Sequence, residues 1–163
     1  MRAVIVADTG PLIALAKINH LHLLSQLYQE IILPQTVFEE ATKEIHWQDA
    51  LQIDNFVKNY AEVISNIKSD IAKELLLQLD VGESQAIALA HSLQCPVLLD
   101  ERRGRIVAKQ KKVEILGTIG LLITAKKEKM IPEISGLLQK ISTNGYRISP
   151  ALIQQALAIA GEN

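Results

Sequence analysis

Five short runs of Val, Ile, Leu and Ala recur along the chain, and longer segments with helical spacing of apolar residues separate them. Strands that are apolar at nearly every position suit a sheet that is covered on both faces, as parallel sheets are. The alternation of such strands with helices therefore predicts an α/β sandwich with a mostly parallel central sheet of about five strands. The predicted strands are 3–7, 30–33, 62–64, 96–99 and 113–116.

Helical patterns fill the segments between the predicted strands and follow the last one. The chain of 163 residues has no internal repeat and no Gly/Ser-rich linker, and its length is typical of one domain. We therefore expect a single domain over 1–163. The predicted helices are 11–17, 21–28, 36–43, 48–60, 71–79, 82–93, 102–111, 119–127, 134–140 and 151–160.

Composition excludes several protein classes. With 48% hydrophobic residues, 8 Gly and 5 Pro, the chain is not of a disordered or collagen-like type. The single Cys95 cannot form an internal disulfide, and no Cys or His stands at zinc-ligand spacing. The longest uncharged run, 84–99, is too short and too polar to cross a bilayer, and Asp8, Gly10 and Pro11 interrupt any signal-peptide core. We expect a cytoplasmic protein without membrane contact.

The net charge of −1 conceals an uneven distribution of charge along the sequence. Segment 102–129 contains nine Lys or Arg and two Glu, a net +7, so the rest of the chain carries −8. This asymmetry predicts a cationic surface region and a separate concentration of carboxylates.

Two aspartates directly follow predicted strands. Asp8 follows the first strand and Asp100 follows the fourth. Ligands of parallel α/β sheets bind at the carboxyl ends of strands, near the point where the strand order reverses. Helix capping is the alternative role for each aspartate, and the sequence around them leaves both roles open. An aspartic-protease Asp-Thr-Gly motif is rejected because a helical pattern follows Asp8, and a haloacid-dehalogenase motif fails because position 10 is Gly.

Two glutamates are further candidates. Thr36 and Glu39 form a plausible capping box, which leaves Glu40 without an assigned role. Asp80 and Glu83 form a second plausible capping box, although Glu83 shares a helix face with apolar residues that points inward. Carboxylates brought together at one end of a sheet repel each other unless a cation holds them. A set of oxygen ligands without Cys or His suits Mg²⁺ or Mn²⁺.

Four segments in order carry a family resemblance: Val-Ala-Asp8-Thr-Gly-Pro-Leu-Ile-Ala-Leu, Pro34-x-x-Val37-x-x-Glu40, Gly82-Glu83-Ser-Gln-Ala-Ile-Ala-Leu-Ala and Leu-Leu-Asp100-Glu-Arg-Arg-Gly-Arg. Their order and spacing resemble a PIN-domain protein over nearly the whole chain. The last two segments are similar to a prokaryotic subfamily of predicted nucleic-acid-binding proteins related to VapC-type toxin ribonucleases.

The resemblance implies a PIN-like three-layer α/β/α sandwich in which the first and fourth strands are neighbours. It also implies a metal-dependent ribonuclease with one or two Mg²⁺ or Mn²⁺ ions at an acidic pocket. The matching catalytic and metal-ligating positions are Asp8, Glu40, Glu83 and Asp100. Many PIN nucleases carry a further acidic or amide residue soon after the fourth acid. This chain has Arg102, Arg103 and Gly104 there, and Glu101 is the candidate substitute ligand.

The basic segment fits an RNA substrate. If 102–112 is helical, Arg102, Arg105, Lys109 and Lys112 lie on one face close to the acidic pocket, where they could bind phosphates. A solvated helix face is the alternative. The candidate substrate-binding residues are Thr9, Arg102, Arg103, Arg105, Lys109 and Lys112.

The leading hypothesis is a Mg²⁺- or Mn²⁺-dependent ribonuclease, the toxin of a toxin–antitoxin pair with a small antitoxin protein as partner. A homodimer is a further expectation. The alternative function is a non-catalytic PIN module that binds RNA or a protein. A receiver-like signalling domain is disfavoured, because Asp8-Thr9 and Gly117-Thr118 supply neither its paired acids nor its Lys.

Overall fold

The computed structural model describes residues 1–43 and 47–163, and within them one parallel sheet forms the centre of the molecule. Its strands are β1 (Arg2–Ala7), β2 (Tyr28–Pro34), β3 (Ala61–Ile64), β4 (Val97–Leu98) and β5 (Ile115–Leu116). The strand order is β3-β2-β1-β4-β5. The prediction of a parallel sheet of about five strands is confirmed.

Helices lie between and after these strands, close to the predicted positions. Several ends differ by one to four residues, and two of these differences have a clear cause. Tyr28 has extended backbone and pairs with Arg2, so it opens β2 instead of closing a helix. The helix predicted to reach Leu79 ends at Leu75. Beyond it, backbone hydrogen bonds between residues three apart form turns in place of a further α-helical turn. The helices are α1 (Thr9–Lys17), α2 (His22–Leu27), α3 (Gln35–Thr42), α4 (Gln48–Tyr60), α5 (Asp70–Leu75), α6 (Val81–Leu93), α7 (Arg102–Gln110), α8 (Thr118–Lys127), α9 (Ser135–Thr143) and α10 (Pro150–Ala160).

The central strand β1 is buried on both faces. Ile5 and Ala7 belong to one apolar cluster, and Val6, between them, belongs to a second cluster on the opposite side. All three residues are fully buried. Since successive side chains of a strand point to opposite faces, helices cover the sheet on both sides. The result is the three-layer α/β/α sandwich that the near-continuous apolar strands predict.

The sheet reverses its order between β1 and β4. From β1 the chain adds β2 and β3 on one side, and then β4 and β5 on the other. The backbone N–H of Asp8 donates to the carbonyl of Leu98 at 3.0 Å, so the ends of β1 and β4 lie side by side. The neighbouring first and fourth strands that the resemblance implied are confirmed. This reversal is where ligands bind in open parallel sheets.

Hydrogen bonds of Glu162 hold the segment after α10 against the rest of the fold. Its carboxylate accepts hydrogen bonds from the Lys126 ammonium at 2.8 Å and from the backbone N–H groups of Ile134 and Ser135. Although burial acts in the opposite direction, these hydrogen bonds lower the pKa of Glu162 to about 2. Within the described ranges, no helix combines the length and apolar character needed to cross a bilayer.

Candidate functional site

A cavity of about 510 Å³ opens at the carboxyl ends of β1 and β4. Asp8 directly follows β1 and Asp100 follows β4, whereas Glu40 comes from α3 and Glu83 from the first turn of α6. All four acids that the sequence singled out line this cavity, which we call the acidic cavity. Glu101, the candidate substitute ligand, is exposed on its rim.

Asp8 is buried at the position before α1, but its side chain makes no capping hydrogen bond to that helix. The capping role that the sequence left open is therefore wrong for Asp8. Burial raises the pKa of Asp8 to about 7. The backbone N–H of Thr9 opposes this shift, and the charges of Asp80, Glu40 and Asp100 add to it.

Glu83 fulfils only half of the predicted capping box. Asp80 caps α6 by accepting a hydrogen bond from the Glu83 N–H at 2.8 Å. The hydrogen bonds of the described residues do not include the reciprocal one from the Asp80 N–H to the Glu83 carboxylate, and Glu83 Oε2 is buried without a partner among these residues. Burial, followed by the negative charges of Asp80 and Asp8, raises the pKa of Glu83 to about 7. A buried carboxylate oxygen without a partner is costly, so this side chain is not there for stability alone.

Glu40 is held by a contact across the cavity. The Thr9 hydroxyl donates to Glu40 Oε2 at 3.3 Å. The capping box predicted from Thr36 and Glu39 does not form, because α3 begins one residue earlier with Pro34 at its cap position. Thr9, predicted as a substrate-binding residue, is itself buried and lines the cavity.

Asp100 is fixed by the start of α8. One oxygen accepts from the Thr118 backbone N–H at 2.8 Å, and the other accepts from the Thr118 hydroxyl at 2.5 Å. The Tyr146 hydroxyl lies close to Asp100. Burial and the nearby charge of Asp100 raise the pKa of Tyr146 well above its ordinary value, so its hydroxyl stays protonated.

Three glycines face the acids of the cavity, and each leaves room for one carboxylate. At each position an added Cβ would lie closer to a carboxylate oxygen than ordinary van der Waals contact allows. The absence of a side chain at these positions therefore lets the acids approach the neighbouring backbone. The pairs are Gly82 with Glu40 at 3.1 Å, Gly104 with Glu83 at 2.9 Å and Gly117 with Asp100 at 3.1 Å.

The donor chemistry of the acidic cavity fits a hard divalent cation, although the side chains do not converge on one point. Among the described residues, no three or more His, Cys, Asp or Glu side chains stand together closely enough to hold a metal ion. The potential ligands at this end of the sheet are carboxylate oxygens, the type that Mg²⁺ and Mn²⁺ prefer. The unpartnered Oε2 of Glu83 is a ready ligand atom. Asp8 and Glu83, whose pKa values are raised to about 7, would have to lose their protons before they could bind a cation.

A cationic cavity adjoins the acidic one. It has a volume of about 490 Å³ and is lined by Arg102, Arg105 and Lys109 of α7, and Arg102 also lines the acidic cavity. Arg103 is exposed and lines neither. The placement predicted for Lys112 is wrong: α7 ends at Gln110, the backbone of Lys112 turns with φ +61°, and its side chain lines a different cavity together with Cys95.

The chain matches a known family over nearly its whole length. The family model described as PIN domain (DUF3368) matches residues 4–162. The chain belongs to the PIN-domain family. Its parallel sheet between two layers of helices is the PIN-like α/β/α fold.

One solved structure similar to this PIN domain is a PilT N-terminus domain protein from the hyperthermophilic archaeon Sulfolobus solfataricus P2. The two chains share 16% sequence identity with a TM-score of 0.48, and the match covers 76% of this chain and 92% of that chain. No curated protein matches the sequence.

The sequence did not reveal three polar side chains that line the acidic cavity of this PIN domain, namely those of Asp80, Tyr146 and Arg147. Asp80 was interpreted only as a helix cap, yet its charge raises the pKa of both Asp8 and Glu83. Tyr146 lies in a loop far along the chain from Asp100, and the tertiary fold alone brings the two together. A search for acids at the N-cap positions of helices could have found Asp80, whereas no local pattern marks Tyr146.

Proposed function

We propose that this PIN domain is a Mg²⁺- or Mn²⁺-dependent ribonuclease that hydrolyses phosphodiester bonds at the acidic cavity. The observation that carries the proposal is a pair of carboxyls, Asp8 and Glu83, whose pKa is raised to about 7 beside the end of the sheet. Such a pair destabilises the metal-free fold and marks a functional site. A cation bound only by the folded protein would offset that cost.

The candidate ligands are Asp8, Glu40, Glu83 and Asp100, with Glu101 at the rim. Mg²⁺ or Mn²⁺ bound there would supply the positive charge that activates water and stabilises the leaving oxygen. The residues of the chain orient the site: Thr118 holds both oxygens of Asp100, and Thr9 directs Glu40. Proton loss from Asp8 and Glu83 prepares them as ligands, so cleavage is expected to increase as pH rises through about 7.

The cationic cavity supports a polyanionic substrate. Arg102 lines both cavities, so a phosphate chain that follows Arg105 and Lys109 along α7 is led to the carboxylates. Guanidinium and ammonium groups bind phosphates through charge-assisted hydrogen bonds. The acidic cavity alone would repel RNA, and these residues offset that repulsion.

The first test is metal-dependent cleavage by matched variants. Asp8→Asn and Asp100→Asn each replace a negatively charged candidate metal ligand with a neutral amide. We therefore expect cleavage of single-stranded RNA in Mn²⁺ to fall at least a hundredfold. Asp54→Asn is the control, because Asp54 pairs with Lys58 on α4 and lies outside the cavity. Rates in Mn²⁺ and in EDTA, with each preparation purified identically, measure the effect. Equal rates for the wild type and both site variants would contradict the assignment.

The toxin role, the small antitoxin partner and a homodimer extend this proposal, and they rest on the sequence resemblance. Expression of the wild type is expected to arrest bacterial growth, and expression of Asp8→Asn is not. Co-expression of a small protein encoded beside the gene is expected to relieve the arrest. Growth arrest of equal strength by both proteins would contradict a toxic nuclease.

A non-catalytic PIN module that binds RNA is the second candidate function. It is favoured by the absence of a three-ligand cluster among the described residues. Retained RNA binding without cleavage in either metal would support this candidate over the ribonuclease.

A further inference from the structure

A small side pocket of about 240 Å³ opens beside the acidic cavity. The two spaces share Gly10, Ile13, Gly145 and Tyr146 as lining residues, so they lie side by side. The rest of the side pocket is lined by Ala14 and Ile141, which are apolar, and by Lys17 and Asn144. Its volume lies below the roughly 300 Å³ at which pockets for whole drug-sized ligands begin. The pocket therefore suits one flat ring system attached to something larger.

Gly10 has no structural reason to be a glycine. It is the second residue of α1, its backbone is not in the left-handed region, and an added Cβ would meet no heavy atom of residues 1–43 and 47–163 within 4 Å. Glycine inside a helix is less stable than alanine by roughly 0.5–1 kcal/mol. What the missing side chain does provide is open space between the acidic cavity and the side pocket, since Gly10 lines both.

Tyr146 gives the side pocket an aromatic wall. Its hydroxyl lies close to Asp100 and Thr118, at the boundary with the acidic cavity. The Asn144 side chain lines the same pocket, and its amide nitrogen also donates to the Lys140 carbonyl at 2.7 Å. An aromatic ring, aliphatic side chains and an amide are the groups with which proteins bind an unstacked nucleobase.

We propose that the side pocket binds one unpaired nucleobase of the nucleic acid whose phosphate backbone crosses the acidic cavity. This subsite deepens the proposed function and rests on it for the identity of the polymer. A paired base in a duplex is stacked between its neighbours and cannot enter the pocket. The subsite therefore selects single-stranded substrate and positions the adjacent phosphate over the carboxylates.

The test compares two probes with the same backbone. One is a single-stranded RNA hexamer of uridine, and the other is the same hexamer with every base removed. Binding is measured by fluorescence anisotropy in EDTA, so that affinity is obtained whether or not the protein cleaves RNA. Base–aromatic stacking predicts that the wild type binds the uridine probe about tenfold more tightly. The ratio of the two affinities isolates the contribution of the bases from that of the phosphates.

Variants test whether the side pocket is responsible for the difference in affinity between the two probes. Tyr146→Ala and Gly10→Leu are expected to bring the ratio close to one, and Tyr146→Phe, which keeps the ring, is expected to preserve it. Tyr60→Ala and Gly136→Leu are matched controls that keep the wild-type ratio. Tyr60 is an exposed tyrosine outside both cavities. Gly136 is, like Gly10, the second residue of its helix with open space around its Cβ position.

Each outcome decides the inference. The inference is overturned if the wild type binds both probes with equal affinity or binds neither. It is also overturned if Tyr146→Ala and Gly10→Leu leave the ratio of the two affinities unchanged. A base-dependent ratio in a protein that never cleaves RNA supports the subsite and refutes the ribonuclease. Metal-dependent cleavage with no base dependence supports the ribonuclease and refutes the subsite.

Discussion

Gly104 leaves the space that the Glu83 carboxylate occupies. A Cβ at this position would lie 2.9 Å from Glu83 Oε2 and 3.2 Å from Leu99 Cδ2. Glycine to alanine inside a helix ordinarily adds roughly 0.5–1 kcal/mol of stability. In Gly104→Ala we expect the close contacts of the new Cβ to cancel this added stability and to displace the Glu83 carboxylate. RNA cleavage should therefore fall at least tenfold. The melting temperature should change little, because the displaced atoms are the ends of flexible side chains.

The matched control for this prediction is Gly136→Ala, in a helix and with open space around the added Cβ. It should raise the melting temperature by a few degrees and leave cleavage unchanged. Thermal melts and initial rates of the two variants are compared with the wild type. A Gly104→Ala protein that cleaves at the wild-type rate would show that the position of Glu83 does not matter for activity.

The raised pKa of Asp8 and Glu83 makes stability depend on pH. Both groups have a folded pKa of about 7 against ordinary values of 3.8 and 4.5. Between these limits the folded state holds more protons than the unfolded state, so stability is full below about pH 4 and is lost as pH rises through 7. In EDTA, we therefore expect the melting temperature to fall by several degrees from pH 5 to pH 8.

Asp8→Asn removes one of the two titrations and should flatten this slope. Glu162 does not interfere, because its lowered pKa of about 2 changes stability only as pH falls below its ordinary 4.5. Calorimetric scans at four pH values compare the wild type with the variant. Identical slopes in the two proteins would mean that Asp8 does not carry a raised pKa.

At the residue scale, the sequence located the four acids but not their surroundings. Asp8 and Asp100 were predictable because each follows a strand, and strand ends are where α/β sheets bind ligands. The roles of Gly104 and Tyr146 were not predictable, because each depends on a contact with an element distant in sequence. Local capping patterns misled at Thr36, where Pro34 starts the helix one residue earlier.

At the scale of elements, the strands and helices were predictable because apolar periodicity is strong in buried segments. Their ends were less predictable. The basic pattern over 102–112 was interpreted as one helical face, but Lys111 caps α7 and the left-handed backbone at Lys112 redirects the chain toward β5. Periodicity alone cannot show where such a turn interrupts a helix.

The remaining basic face of α7 should control the salt dependence of RNA binding. We expect Arg102→Gln, Arg105→Gln and Lys109→Gln together to weaken binding more than tenfold at low salt. They should also reduce the slope of log affinity against log salt by about two, since each lost phosphate contact removes about 0.7 from the slope.

The control for α7 neutralises three exposed lysines outside both cavities. Lys58, Lys68 and Lys73 replaced by Gln change the net charge equally but leave the cationic cavity intact. Filter binding at several salt concentrations compares the two triple variants. Equal losses from both would mean that net charge, and not the face of α7, attracts RNA.

At the scale of the whole molecule, the order of the strands makes the site. Periodicity predicted five strands, but it could not tell which of them are neighbours. The resemblance supplied the pairing of the first and fourth strands, and the hydrogen bond from Asp8 to Leu98 at 3.0 Å shows it. Arg102, Arg105 and Lys109 of the basic segment 102–129 line the cationic cavity, and Arg102 also lines the acidic cavity. Basic and acidic residues that are far apart in sequence thus lie close together at one end of the sheet.

The central claim is that the acidic cavity holds a divalent cation. Isothermal titration of the metal-free protein with Mn²⁺ at pH 6 and pH 8 tests it most directly, with Asp8→Asn and Asp54→Asn as site and control variants. We expect the wild type to bind Mn²⁺ saturably, and at least tenfold more tightly at pH 8 than at pH 6, because Asp8 and Glu83 must lose protons. The Asp54→Asn variant should bind Mn²⁺ as the wild type does. Asp8→Asn should bind at least tenfold more weakly than the wild type at pH 8. Absence of Mn²⁺ binding by the wild type, or binding that Asp8→Asn leaves unchanged, would contradict a metal site at this cavity.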